Sequence, residues 1–162
     1  MGLSAEQIPR MIDISAVRTD VMESEVRLIA EMAIKYNFVC AFAMPCYTAT
    51  LVEILRNHDS IGVGGVVGFP SGADTTQIKV ETARALLAMG CDELDMVVNV
   101  GQLKSGNHDA VYEDIRAVVK AAGEVPVKSI LEIAYLTDDQ IMSGSKIAAD
   151  AGVTFVKTGT GW

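Results

Sequence analysis

Short apolar runs rich in β-branched residues alternate along the chain with stretches whose apolar positions recur every three or four residues. The runs at residues 11–15, 39–44, 62–69, 93–99, 127–133 and 154–158 predict six strands. Between them, residues 23–36 place Val26, Ile29, Ala30 and Ala33 on one helical face, and residues 49–55 predict a shorter helix. A helix over 75–89 follows Asp74, a candidate N-cap, and stops at Gly90. Another over 109–122 stops at Gly123. The last, 137–151, opens with Thr137-Asp138-Asp139-Gln140, a capping-box pattern, and stops at Gly152. The repeat length is about 30 residues, the size of one βα unit.

Such alternation predicts one α/β domain over residues 1–162, with parallel strands and right-handed crossovers. Two folds meet that description, a doubly wound open sheet and a β/α barrel of the TIM type. A barrel needs eight units and typically ~250 residues. The pattern supplies six strands, so taken alone it favours the open sheet.

Composition narrows the function classes. Lys and Arg number 13 against 21 Asp and Glu, a net charge of −8, which argues against a nucleic-acid partner. No apolar run reaches the ~20 residues of a membrane span, and the N-terminus lacks the apolar core of a signal peptide. A cytoplasmic location is expected, with Cys40, Cys46 and Cys91 as reduced, buried thiols.

Strand parity singles out the candidate chemistry. Alternate residues of a strand face opposite sides, so Glu93, Asp95, Val97 and Asn99 share one face of the fourth strand. Lys128 and Glu132 share a face of the fifth, and Phe155 and Lys157 a face of the sixth. Charges on a core strand need partners. On neighbouring strands, two lysines held close in partly desolvated surroundings would each have a lowered pKa. A lysine so tuned attacks carbonyls and forms a Schiff base, with Asp95 available to handle protons. Lys128, Glu132 and Asp95 are alternatively readable as a structural ion-pair network, which the pattern alone favours. Asp13, an acid within an apolar run, is open to a strand-end or a site role.

Other motifs carry less. The glycine-rich segment 62–68 fails as a dinucleotide fingerprint, because Val67 stands where its third glycine belongs and the run lies inside a strand. Small residues that allow close packing are the better account. Lys157-Thr158-Gly159-Thr160-Gly161 is either a glycine turn or a nest of backbone N–H groups for an anion. His58 and His108 lack metal-ligand spacing, so no metal is expected. Cys46, after Pro45, either borders a site or is a buried thiol.

Four ordered segments resemble the deoxyribose-phosphate aldolases. They are Val67-Gly68-Phe69-Pro70-Ser71-Gly72 with Thr76 and Lys79; residues 92–99, Asp-Glu-Leu-Asp-Met-Val-Val-Asn; Val125-Pro126-Val127-Lys128 with Leu131-Glu132; and residues 155–161, Phe-Val-Lys-Thr-Gly-Thr-Gly. The resemblance implies a β/α barrel and a class I aldolase needing neither metal nor other cofactor. Its reaction is the reversible cleavage of 2-deoxyribose 5-phosphate to acetaldehyde and glyceraldehyde 3-phosphate. By position it implies Lys128 as the Schiff-base lysine and Lys157 as the lysine that perturbs it. Asp95 becomes the aspartate of the proton relay, and Asp13 an acid near it. Thr158, Gly159 and Cys46 become candidate substrate contacts. The family usually has Ser where this chain has Gly159.

The resemblance also implies two further βα units, which carry phosphate-binding loops in such barrels. The expectation is therefore an incomplete barrel of about six of eight units, with weakened activity. Its exposed strand edges would favour a homo-oligomer, with a small phosphorylated sugar or aldehyde as the other partner. A non-catalytic, self-associating barrel fragment and a doubly wound small-molecule or phosphate-binding domain are the alternatives.

Overall fold

The computed structural model describes residues 4, 5 and 7–162. Six strands form one parallel sheet in chain order: β1 (Asp13–Ala16), β2 (Cys40–Ala43), β3 (Gly62–Val67), β4 (Glu93–Val97), β5 (Val127–Ile130) and β6 (Phe155–Lys157). The helices are α1 (Glu23–Tyr36), α2 (Thr48–Leu55), α3 (Thr76–Met89), α4 (Val100–Lys104), α5 (His108–Ala122) and α6 (Asp138–Ala151).

Sequential order already separates this sheet from a doubly wound one, where the order reverses partway across. Curvature settles the matter. Four strand spacings of ~4.8 Å would put β1 and β5 about 19 Å apart in a flat sheet. Yet Lys128 Nζ on β5 lies 2.5 Å from Asp13 Oδ2 on β1. The sheet is curled into part of a β/α barrel, as the resemblance implied and contrary to the bare pattern.

Each strand divides its residues between two environments. Leu94 and Met96 of β4 and Val127 of β5 face the helices and join a large core with Val26, Ala30, Leu86, Ile115, Val118 and Ala148. The opposite parity faces the inside of the curl. There Cys40, Phe42 and Val66 form a smaller cluster with Val17 and Phe69. Gly64 on β3 makes room for it, since a Cβ there would come 2.1 Å from the Phe42 ring.

Helix ends follow the local chemistry. The Thr137–Gln140 capping box is present in both directions, and Gly152 closes α6 in the left-handed region. At α3 the cap is Thr75, whose Oγ1 accepts from Ile78 N, rather than Asp74. Helix α4 lies where residues 93–99 lead out of the sheet; Asn99 accepts from Gln102 N and caps it. All six strands are shorter than the apolar runs. In β5 the reason is explicit: Glu132 adopts φ 54°, ψ 63°, which turns the chain out of the sheet. Lys128 and Glu132 are thus not on one strand face. Lys79 and Asp114 tie α3 to α5 by a buried ion pair at 2.6 Å, and Lys79 also donates to Val97 O at the end of β4. Among the described residues no helix is long and apolar enough to cross a membrane.

Candidate active site

Inward-facing residues of β1, β2, β4, β5 and β6 converge on two lysines. Lys128 and Asp95 are register partners across β5 and β4. Lys157 sits one strand further on, opposite Ile130. The two ammonium groups share the Phe42 ring, at 5.5 and 5.4 Å from its centre.

Their surroundings differ. Lys128 contacts Asp13 Oδ2 at 2.5 Å and Glu93 Oε1 at 2.6 Å, with 12% of its side chain exposed. Burial alone would lower its pKa. The contacts with Asp13 and Glu93 outweigh that and raise it above the ordinary lysine value. The lowered pKa that proximity of two lysines suggested is therefore not found at Lys128, because carboxylates surround it on two sides. Burial in turn pushes the Glu93 carboxyl up, against the pull of Lys128.

Lys157 has a single carboxylate partner, donating to Asp95 Oδ2 at 2.7 Å, and 37% of its side chain is exposed. Asp95 is 1% exposed, and burial holds its carboxyl above the ordinary range despite Lys157. Its other oxygen, Oδ1, is buried and has no hydrogen-bond partner among the described residues. Both features suit a carboxyl group that takes and returns a proton.

A cavity of about 20 Å³ adjoins this pair. Ser15, Val17, Phe42, Val66, Phe69, Asp95, Ile130, Lys157 and Thr160 line it, while Lys128 does not. Through Thr160 it meets a bowl of about 410 Å³ formed by Pro70, Ser71, Val100, Glu132, Ala134, Tyr135 and Trp162. Phe69 from the inner cavity and Trp162 from the bowl pack edge to face, with centroids 5.6 Å apart. The loops that follow β3, β4, β5 and β6 thus build the site at the C-terminal end of the strands, as in other β/α barrels.

Of the residues expected from the sequence, Lys128, Lys157, Asp95 and Asp13 come together. Thr158 and Gly159 lie in the adjoining turn but line neither cavity; their neighbour Thr160 lines both. Glu132 accepts from Thr160 N at 3.0 Å and from the Thr160 hydroxyl, and so fixes this turn. A Cβ at position 159 would come 3.0 Å from Glu132 Oε1, so a serine there would require Glu132 to give way. Cys46 is exposed on the 3-10 turn after β2, not buried, and lines neither cavity. Cys40 and Cys91 are buried free thiols, and burial pushes the Cys91 thiol up to about 12.

Phe42 was not singled out from the sequence, and Glu93 and Glu132 were noted for their strand faces but not as site residues. Glu93 carried a signal, two residues before Asp95 on the same strand face. Asp13, Cys40 and Glu93 offer donor atoms within 4.8 Å of one another. The Lys128 ammonium lies against both carboxylates, and burial foremost keeps the Cys40 thiol protonated.

The fold is thus a partial parallel β/α barrel with a lysine and a buried aspartate beside a small cavity of mixed polar and apolar lining. The model of the DeoC/LacD family aldolase matches residues 19–161, and the chain belongs to that family. It is 43% identical over 164 residues to a deoxyribose-phosphate aldolase of Klebsiella pneumoniae, covering 100% of this chain and 66% of that one. The corresponding enzyme of Sinorhizobium medicae is 46% identical over 161 residues, with 99% and 65% covered. That of Methanothermobacter thermautotrophicus is 42% identical over 157 residues, with 97% and 69% covered. The fold superposes on a tetrameric deoxyribose phosphate aldolase from Aeropyrum pernix with a TM-score of 0.87, at 29% identity, over 96% of this chain and 65% of that one. The chain therefore spans about two thirds of the length of the curated relatives it matches.

Proposed function

We propose that the chain carries the imine-forming half of a class I aldolase acting on 2-deoxyribose 5-phosphate, and that Lys157 rather than Lys128 is the nucleophile. One observation carries the assignment: of the two lysines, Lys157 lines the small inner cavity and Lys128 does not. Lys128 is enclosed by Asp13 and Glu93, which hold its proton. An ammonium without its proton loss cannot attack a carbonyl.

In this reading Asp95 takes the proton of Lys157. The free amine attacks C1 of the open-chain sugar, and Asp95 gives its proton to the carbinolamine oxygen, which leaves as water and yields a protonated imine. The Asp95 carboxylate then takes the C3 hydroxyl proton as the C2–C3 bond breaks. The bonding electrons pass into the imine to give an enamine, and glyceraldehyde 3-phosphate departs. Asp95, through Oδ1 or a water on it, returns a proton to C2. Hydrolysis releases acetaldehyde and restores the amine. Lys128 serves as the fixed cation that holds Asp13 and Glu93 in place. Thr158 and Gly159 act through the turn that presents Thr160, and Cys46 has no part.

The outer bowl takes the phosphorylated three-carbon half, and a second copy of the chain covers the open edges of β1 and β6. Turnover of 2-deoxyribose 5-phosphate, followed as acetaldehyde release, tests the reading. Activity should be lost in Lys157→Ala. Unchanged turnover in that variant would overturn the assignment.

A further inference from the structure

Lys79 and Asp114 line neither cavity, yet they are bonded to two of the segments that build the site. Lys79, in the first turn of α3, is 0% exposed, and Asp114 of α5 is 5% exposed. Their contact is 2.6 Å, Lys79 Nζ also donates to Val97 O at 3.0 Å, and the Thr76 hydroxyl donates to Asp114 Oδ1 at 2.8 Å. Val97 ends β4, two residues after Asp95. The Lys79 stem also runs beneath the loop that leaves β3, where a Cβ at Gly68 would lie 2.8 Å from Lys79 Cε. The same loop rests on the chain just beyond β4, since a Cβ at Gly72 would lie 1.8 Å from Val98 O. It carries Phe69 to the inner cavity, and Pro70 and Ser71 to the wall of the bowl. Stability alone does not account for a buried ion pair, because an apolar pair of similar volume is often as stable or more so. What an apolar pair cannot supply is a donor aimed at Val97 O.

We propose that Lys79 is a positioning residue for the reaction: by fixing the end of β4 and the 68–72 loop it places Asp95 and Phe69 against Lys157. The proposal rests on the aldolase reading above. Asp114 is the counter-ion that steers the ammonium, and Thr76 ties that carboxylate back to α3. Without Lys79, Val97 O loses this donor and the loop loses the stem beneath it. The Asp95–Lys157 contact of 2.7 Å is the distance over which the proton passes, and proton transfer is sensitive to its geometry. Phe69 in turn packs edge to face on Trp162, the single tryptophan of the chain. Trp162 therefore reports where the loop lies.

The test compares the wild-type chain with two variants. Lys79→Met combined with Asp114→Leu replaces the pair by apolar side chains, whereas Asp114→Asn keeps the Lys79 donor. Circular dichroism and urea unfolding follow the fold, acetaldehyde release from 2-deoxyribose 5-phosphate gives kcat, and Trp162 emission follows the loop. The double variant should be the more stable of the two and the less active, so that stability and activity run in opposite order. Its kcat should fall on the order of 100-fold, the cost of a displacement of about 1 Å at the reacting groups. Its Trp162 emission should shift to the red as the ring loses Phe69. Wild-type kcat, or an unmoved Trp162 emission, in a folded double variant overturns the proposal. So does a double variant that fails to fold, because the charged pair is then required by the fold itself. No turnover by the wild-type chain would instead overturn the aldolase reading, and this proposal with it.

Discussion

Two lysines of one inward face meet different surroundings, Lys128 against two carboxylates and Lys157 against one. Parity placed Lys128, Lys157 and Asp95 inside the sheet from the sequence alone. Which lysine each carboxylate would meet was not legible, because Asp13 reaches Lys128 only once the sheet has curled through four strand spacings. Removing Lys128 would leave Asp13 and Glu93 buried without their cation. Lys128→Met should cost about 3–5 kcal/mol in urea unfolding at neutral pH, the range for breaking a buried pair. Its raised pKa gives the pH dependence. The stability it contributes is fully present below the ordinary lysine value of 10.5 and is lost as pH rises through the folded value. The gap between wild type and variant should therefore narrow above about pH 10.5. It should narrow again in acid, as Glu93 protonates from above the ordinary carboxylate value. A gap independent of pH would contradict this placement of charge.

At the scale of elements, helix stops and the α6 capping box were readable because they depend on a few neighbouring residues. The strand ends were not, since an apolar run does not show where the chain leaves the sheet. Glu132 turns the chain away after β5 by its left-handed backbone, between the apolar Leu131 and Ile133. The link between α3 and α5 was equally hidden: Lys79 and Asp114 are 35 positions apart, and Lys79 is fully buried. Asp114→Asn should destabilise the fold by about 3–5 kcal/mol, because Lys79 would keep a buried charge with weaker compensation. Pairing Lys79→Met with Asp114→Leu should recover most of that loss. Thermal unfolding of Asp114→Asn and of the double variant checks it, and a double variant no more stable than Asp114→Asn would argue that the pair itself is not the source.

For the whole molecule, counting strands pointed to an open doubly wound sheet, and the ordered motifs pointed to a barrel. The chain order of the sheet and the contact from β5 to β1 decide for the barrel. Periodicity reports which residues are buried, but not how strongly a sheet bends. The curl leaves β1 and β6 as edges, and Phe155 and Val156 of β6 are 54% and 42% exposed. Exposed edges of this kind pair with other chains. Sedimentation velocity should therefore show association that grows with concentration, whereas one monomeric species throughout would refute it.

The central claim is that the curled sheet leaves Lys157 free to react and Lys128 locked among carboxylates. It is tested most directly by treating the protein with acetaldehyde and borohydride and mapping the modified residue by peptide mass spectrometry. The account predicts a reduced adduct on Lys157. An adduct on Lys128 in its place, or a folded chain with no adduct on either, would contradict it.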